Sequence, residues 1–316
     1  MKMVIAGGSG QVGRILQRAF AGRYEVVVLS RKARRGNGVR CVKWDGETVG
    51  AWAGELEGAD VLINLAGRSV NCRYNERNRR EIIDSRVNSI RALGAACAGL
   101  KRPPRVWLQA ATATIYAHVP PGGAAHEENG VMGGNEPWAP ETWQFSIDVA
   151  RRWEGAFDEV NLPETRKVKL RISMVMSPDE GGVFRVMLKL VQRRLGGKMG
   201  DGEQYVSWIH ERDFVRALEW ILARDEFCGA VNICAPNPVT NGEFMRELRA
   251  AAGVGFGLPA AKWMLEMGAI FMRTETELIL KSRRVVPGWL LRSGFRFEFP
   301  EWKAAARELY GRSAGL

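Results

Sequence analysis

An apolar run, Met3-Val4-Ile5-Ala6, leads straight into Gly7-Gly8-Ser9-Gly10-Gln11-Val12-Gly13, and an amphipathic segment from Val12 to Phe20 follows at once. Strand, glycine turn and helix in that order constrain the chain more than any other feature. The glycines allow a sharp turn and let a pyrophosphate approach the main chain, where free N–H groups and the positive helix end meet its charge. Two spacings fit, Gly7-x-x-Gly10-x-x-Gly13 and Gly8-x-Gly10-x-x-Gly13. Glycine patterns also mark ordinary turns, so the flanking strand and helix carry the reading. The residues expected at the phosphate are Gly7, Gly10, Gln11, Val12 and Gly13.

The next apolar run, Glu25 to Leu29, predicts a second buried parallel strand ending at Ser30-Arg31-Lys32. That position, about 20 residues past the glycines, is where an acid would bond the ribose 2′-OH of NAD. Ser30, Arg31 and Lys32 include no acid. The two cations suit a 2′-phosphate, which favours NADP(H) over NAD; the plainer alternative is a solvated basic turn. Val39 to Trp44 predicts a third strand, followed by Asp45, which can reach an adenine edge or cap a turn. Asp60 to Ala66 predicts a fourth, and the small residues of Leu65-Ala66-Gly67 let the backbone lie against a cofactor.

A long helix is expected over Asn75–Ala98, a strand over Val106–Ala111, a helix over Trp143–Val160 and a strand over Val168–Met174. Strands alternating with helices predict an α/β fold with a doubly wound parallel sheet. Further on, the patterns predict helices over Val183–Arg194, Arg212–Ala223 and Thr240–Ala252, and strands over Tyr205–Ile209 and Ala230–Cys234. Leu258 to Met272 reads as an amphipathic core or lid helix, too short and too charged to span a bilayer. The remainder reads as helical with breaks at Pro259, Pro287 and Pro300.

The odd cysteine count, Cys41, Cys72, Cys97, Cys228 and Cys234, points away from a disulfide framework, and His118, His126 and His210 make no metal-ligand spacing. With no signal peptide in view, a reducing cytoplasm is expected. The net charge of +11 is spread over many segments without interleaved aromatics, which fits a phosphate-rich ligand better than nucleic acid. No membrane partner is expected. The expected partner is a small-molecule substrate, anionic if an arginine faces it, and a homodimer stays open as the assembly.

The glycine loop, Asn64-Leu65-Ala66-Gly67 and Thr112-Ala113-Thr114-Ile115-Tyr116 together resemble an extended short-chain dehydrogenase/reductase (SDR). Ser85-Arg86, Trp153-Glu154, Gly196-Gly197-x-x-Gly200-x-Gly202, Trp208-Ile209-His210-x-x-Asp213, Asn232-x-x-Ala235-Pro236, Val285-x-Pro287 and Gly294-Phe295-x-Phe297 are similar to the atypical sugar-nucleotide-epimerase-like (YfcH-like) group, with its small C-terminal domain of unknown role. The resemblance implies a Rossmann-type domain over 1–175, with 210–235 returning to it. It implies a smaller, partly interleaved, mainly helical domain from 176–209 and 236–316. It also implies an NADP(H) site and places Thr112 where related enzymes hold a catalytic hydroxyl.

Working enzymes of that class carry Tyr-x-x-x-Lys on the helix after the fifth strand, whereas this chain reads Phe145-Ser146-Ile147-Asp148-Val149. Phenylalanine has no proton to transfer, and a placed acid/base is worth roughly 10²–10⁴ in rate. Arg86 stands where the class commonly has Asn. It can clamp an anionic substrate or a cofactor phosphate, or pair with Asp84. His210 is either a hydrogen-bonded core residue or an acid/base facing the cofactor.

Overall fold

The computed structural model describes residues 1–31, 39–134, 136, 140–261, 263–264 and 280–314. Lys32, and residues 262 and 265–272 of the expected late helix, lie outside the described residues. The main sheet has seven strands in the order β10-β6-β5-β4-β1-β2-β3. These are β1 (Lys2–Ala6), β2 (Glu25–Ser30), β3 (Arg40–Lys43), β4 (Val61–Asn64), β5 (Val106–Thr112), β6 (Arg166–Ile172) and β10 (Gly229–Ile233). Every pairing between them is parallel. Four short strands form two further pairs: β7 (Met174–Met176) with β9 (Trp208–His210), and β8 (Tyr205–Val206) with β11 (Val239–Thr240).

The chain reverses direction across the sheet at β1, with β2 on one side and β4 on the other, which opens a crevice at the strand ends. Side-chain alternation sorts each strand between two cores. Met3 and Ile5 face α1 (Gln11–Phe20) and α5 (Glu211–Leu222), packing with Leu16, Phe20, Phe214 and Ile221. Val4 and Ala6 face the layer of α2 (Glu76–Ala98) and α3 (Glu141–Asp158), with Ile90, Leu93, Trp107 and Phe157. Both faces are covered, so the strands read as continuous apolar runs.

A third core joins α4 (Val183–Gln192), α6 (Asn241–Ala251) and α8 (Trp302–Ala314), with Trp208 edge-on to Trp302 at 5.1 Å. The short helix α7 (Gly288–Arg292) packs beside β10. Thr240 caps α6 by accepting from Glu243 N–H at 3.3 Å. Asn241, the first residue of α6, is buried and accepts from Met199 N–H at 2.8 Å.

Two expected strands are divided. The strand expected over Val168–Met174 ends at Ile172, because Ser173 N–H and its hydroxyl both donate to the Ile233 carbonyl, at 3.1 and 3.0 Å. Met174 then begins a new pairing, with β9. The strand expected over Tyr205–Ile209 breaks at Ser207, whose hydroxyl donates to Arg283 O at 2.7 Å and accepts from Val285 N–H at 2.9 Å. Local β-propensity spans both breaks, and only the change of neighbour ends each strand.

Candidate functional site: a glycine loop beside a two-cation cleft

Each glycine of the loop has its own reason. Gly7 has φ +74°, and a Cβ there would lie 2.6 Å from Ala66 Cα. At Gly13 a Cβ would fall 2.1 Å from the Gly8 carbonyl oxygen, so the helix packs directly on the loop. Gln17 Nε2 secures that contact by donating to Gly8 O at 2.7 Å. Gly10 is different. Its φ of −77° suits any residue, and a Cβ there would meet nothing within 4 Å. It caps α1, whose first turn presents free N–H groups beside it. Gln11 adds a buried side-chain donor, Nε2, with no hydrogen-bond partner among the described residues. Val12 faces inward and packs against the α1-side core.

The loop after β4 is set by a buried polar network. Asn64 Oδ1 accepts from Ala66 N–H at 3.0 Å, while its Nδ2 donates to Ser89 Oγ at 3.2 Å and Gln109 Oε1 at 3.0 Å. Leu65, Ala66 and Gly67 are thereby held against the glycine turn. Arg86 reaches up from α2 to the same loop: its Cζ would sit 3.2 Å from a Cβ at Gly67. Nη1 donates to Arg68 O and Ile82 O at 3.0 and 2.9 Å, and the guanidinium lies 4.8 Å from the Trp153 ring. No carboxylate pairs with it among the described residues, so the ion pair with Asp84 is not formed. Its Nε is buried without a partner, and burial pulls its pKa down to about 10.

Arg31 is exposed directly after β2; Ser30 beside it is buried and pairs in register with the exposed Lys43 on β3. Asp45 holds its own turn. Oδ1 accepts from Glu47 and Thr48 N–H, both at 2.9 Å, and Oδ2 accepts from the Thr48 hydroxyl. These hydrogen bonds lower its pKa to about 2. Of the two readings of Asp45, the turn cap is the one the geometry realises.

Thr112 ends β5 and lines a cleft of about 500 Å³ between the sheet ends, α4, α6 and the segment 281–283. Its hydroxyl oxygen accepts from Thr114 N–H at 3.2 Å. Phe145 and Val149 lie in an apolar cluster with Tyr74 and Ile82, the Phe145 and Tyr74 rings 4.9 Å apart. That face of α3 offers packing, with no proton donor at either position.

His210 is not brought to the cleft. It is fully buried, stacked on Phe299 at 4.0 Å, with Nε2 2.9 Å from Glu308 Oε2 on α8. Nδ1 caps α5 by accepting from Arg212 N–H at 3.1 Å. A proton on Nδ1 would face that N–H, so the ring is a structural clasp and no relay. Asp213 completes the clasp, accepting from Glu298 and Phe299 N–H, both at 2.8 Å. Burial lowers the His210 pKa, against an opposing pull from Glu308. The unfolded chain therefore binds this proton more readily, and stability falls as pH drops below about 6.5. Burial shifts His118 and His126 the same way. Thermal melts from pH 7.5 to 5.5 should show a falling midpoint, shallower in His210→Asn, which keeps a capping oxygen. An identical slope in that variant would assign the effect to the other two histidines.

Sequence reasoning missed several contributors. Arg14 donates to Glu180 O at 2.7 Å and Arg18 pairs with Asp179 at 2.7 Å, which lays the segment before α4 across the start of α1. Gly182 then comes so near that a Cβ would lie 2.3 Å from Gln11 Nε2. Lys281 and Arg283 enter the cleft from the C-terminal segment. The basic run Lys281-Ser282-Arg283-Arg284 just ahead of Val285-x-Pro287 was the available signal. Among the described residues no cluster of three or more His, Cys, Asp or Glu could hold a metal, and no helix is long and apolar enough to cross a membrane.

A parallel sheet reversing direction at β1, a glycine turn opening a helix beside the crevice, and two buried donors without partners on α1 and α2 define a Rossmann-type fold. The chain belongs to the NAD dependent epimerase/dehydratase family, whose profile matches residues 3–234. A domain of unknown function (DUF1731) matches residues 260–309. The human epimerase family protein SDR39U1 is 30% identical over 315 residues, covering 98% of this chain and 99% of that protein. The epimerase family protein YfhF of Bacillus subtilis is 28% identical over 312 residues, 98% of each. The crystal structure of human SDR39U1 (isoform 2) with NADPH has a TM-score of 0.84 to this chain at 28% identity, covering 100% of both. UDP-N-acetylglucosamine 4-epimerase from Bacillus cereus shares the fold, with a TM-score of 0.74 at 14% identity over 100% of both chains.

Proposed function

We propose that the protein binds NADP(H) and acts with it on a small molecule held in the Thr112 cleft, as an epimerase/dehydratase-like oxidoreductase of the extended SDR class. Gly10 carries the reading. It is a glycine with an ordinary φ and open space around it, at a helix N-terminus, where the need for glycine is access to the main chain. The buried donors Gln11 Nε2 and Arg86 Nε fit an anionic, hydrogen-bonding ligand. The relative solved with NADPH supports the choice of cofactor.

Bound NADP(H) supplies hydride chemistry. Around it the loop amides, Gln11 and the Leu65-Ala66-Gly67 backbone hold the nucleotide, Arg31 and Lys32 meet a 2′-phosphate, and Arg86 stabilises negative charge. Thr112 offers the hydroxyl nearest the substrate. Five free thiols are consistent with a reducing compartment such as the cytoplasm. The apolar setting of Phe145 and Val149 favours a second reading, an NADP(H)-binding or sensing protein without turnover. NADPH consumption over a carbonyl panel separates the two.

The cofactor reading has its own test. Arg31→Ala removes one charge-assisted hydrogen bond worth about 1.5–3 kcal/mol. NADPH should weaken by roughly 10- to 100-fold while NADH hardly changes. Calorimetric titration of both nucleotides measures this, and equal affinity for the two in the parent protein would sink the NADP assignment.

A further inference from the structure

We propose that the cleft selects an amphipathic anion, a molecule with one carboxylate or phosphate head on a largely apolar body, rather than a sugar nucleotide. The proposal rests on the substrate cleft assigned above and names what that cleft takes.

The walls are largely apolar. Met174, Met176, Val183, Met187 and Phe244 line them, drawn from β7, α4 and α6. Methionine is unbranched and polarisable, so it moulds to irregular apolar shapes. Sugar hydroxyls need convergent acceptors, and a wall of this kind would leave them unpaired at a cost of about 1–3 kcal/mol each. Among the described residues that line the cleft there is no Asp, Glu, Gln or His. The Ser173 and Ser207 hydroxyls already donate to Ile233 O and Arg283 O, and Asn241 Oδ1 accepts from Met199 N–H, so beyond the threonines and the two cations the polar side chains left are Asn71 and Tyr205.

One end is cationic. Lys281 and Arg283 both line the cleft and are both anchored on Thr114. Lys281 Nζ donates to Thr114 O at 2.8 Å, and Arg283 Nε donates to Thr114 Oγ1 at 3.1 Å. Arg283 Nη1 also donates to the Lys281 carbonyl at 3.2 Å. The shared anchor fixes two positive charges side by side, two residues along the chain from Thr112. Lys281 is only 2% exposed, so its charge acts where water screens poorly. A head group held there directs the apolar body along the methionine wall and keeps the molecule beside the Thr112 hydroxyl. A volume of about 500 Å³ is in the range of small-ligand pockets.

The test titrates the full chain, saturated with NADPH, against octanoate, octyl phosphate, octanol, butanoate and UDP-glucose by calorimetry. Octanoate or octyl phosphate should bind at least about tenfold tighter than octanol, and octanoate tighter than butanoate. Arg283→Gln should abolish the preference for the charged head. Because Arg283 also supports Thr114, a second variant guards against misfolding: Val186→Glu, at a 55% exposed position on the cleft rim, should weaken the anions by about tenfold and spare octanol. Octanol matching octanoate, or UDP-glucose binding tighter than either anion, would overturn the proposal. NADPH is titrated separately beforehand. If it fails to bind while the anions bind the chain alone with the same preference, the cofactor reading falls and the cleft assignment is supported.

Discussion

Gly10→Val should yield a folded protein that no longer holds NADPH. The backbone there has φ −77° and ψ 178°, which valine adopts freely, and a Cβ meets no protein atom within 4 Å. Nothing in the fold resists the change. The branched side chain would instead stand over the α1 N-terminus and block at least two amide contacts to a pyrophosphate. At about 1.5–3 kcal/mol per charged hydrogen bond, the loss is about 3–6 kcal/mol, on the order of 100- to 10,000-fold in affinity. Gly13→Ala, three residues on, should do the opposite kind of damage. Its Cβ would lie 2.1 Å from the Gly8 carbonyl oxygen, so the loop itself must shift and the melting point should fall. Circular dichroism and NADPH titration of both variants distinguish ligand space from packing. Undiminished NADPH affinity in folded Gly10→Val would show that the nucleotide lies elsewhere.

Arg171→Met should cost about 3–5 kcal/mol of stability, the usual penalty for leaving a buried partner charge alone. Arg171 lies on β6 and is 4% exposed, bound to Glu154 on α3 through two bonds of 2.8 Å. Its Nη1 also donates to Tyr116 Oη at 2.8 Å and Glu128 O at 2.9 Å. Tyr116 in turn donates to Asn232 Oδ1 at 2.8 Å, and Asn232 Nδ2 donates to Val286 O at 3.0 Å. The network thus joins β6, α3, β10 and the C-terminal segment. Without Arg171, Glu154 keeps only Lys169, at 3.6 Å, as a cation partner among the described residues. The melting point should drop on the order of 10 °C. Arg171→Met with Glu154→Leu should recover much of the loss, because removing both charges removes the uncompensated one. A double variant no more stable than the single would mean that the shape of the network, and not its charge balance, is what matters.

Much of the sheet was legible because a strand buried on both faces must be apolar throughout, and runs such as Val26-Val27-Val28-Leu29 have no other use. The glycine loop was legible because three glycines at fixed spacing follow a strand and open a helix. The exposed position of Arg31 directly after β2 was legible from the strand before it. Trp153-Glu154, Asn232 and Val285-x-Pro287 could be recognised as motifs, but their meaning could not be read. Glu154 and Asn232 hydrogen-bond within one buried network, which the Val286 carbonyl also joins. Partners separated by 116 residues, as Tyr116 and Asn232 are, leave no local trace of their pairing.

By itself, then, the sequence determined the strand–turn–helix unit, the parallel α/β class and the positive charge at the end of β2, because backbone conformation, burial period and local charge are properties of neighbouring residues. The tertiary structure decided the rest. It turned His210 from a candidate acid/base into a clasp by closing both ring nitrogens, one on Arg212 N–H and one on Glu308. It buried Arg86 against Trp153 with no carboxylate partner among the described residues. It carried Lys281 and Arg283 across the molecule to Thr114. Whether a polar side chain is a clasp, a charge reservoir or a ligand contact depends on what desolvates it and what bonds its second atom, and those neighbours come from distant parts of the chain.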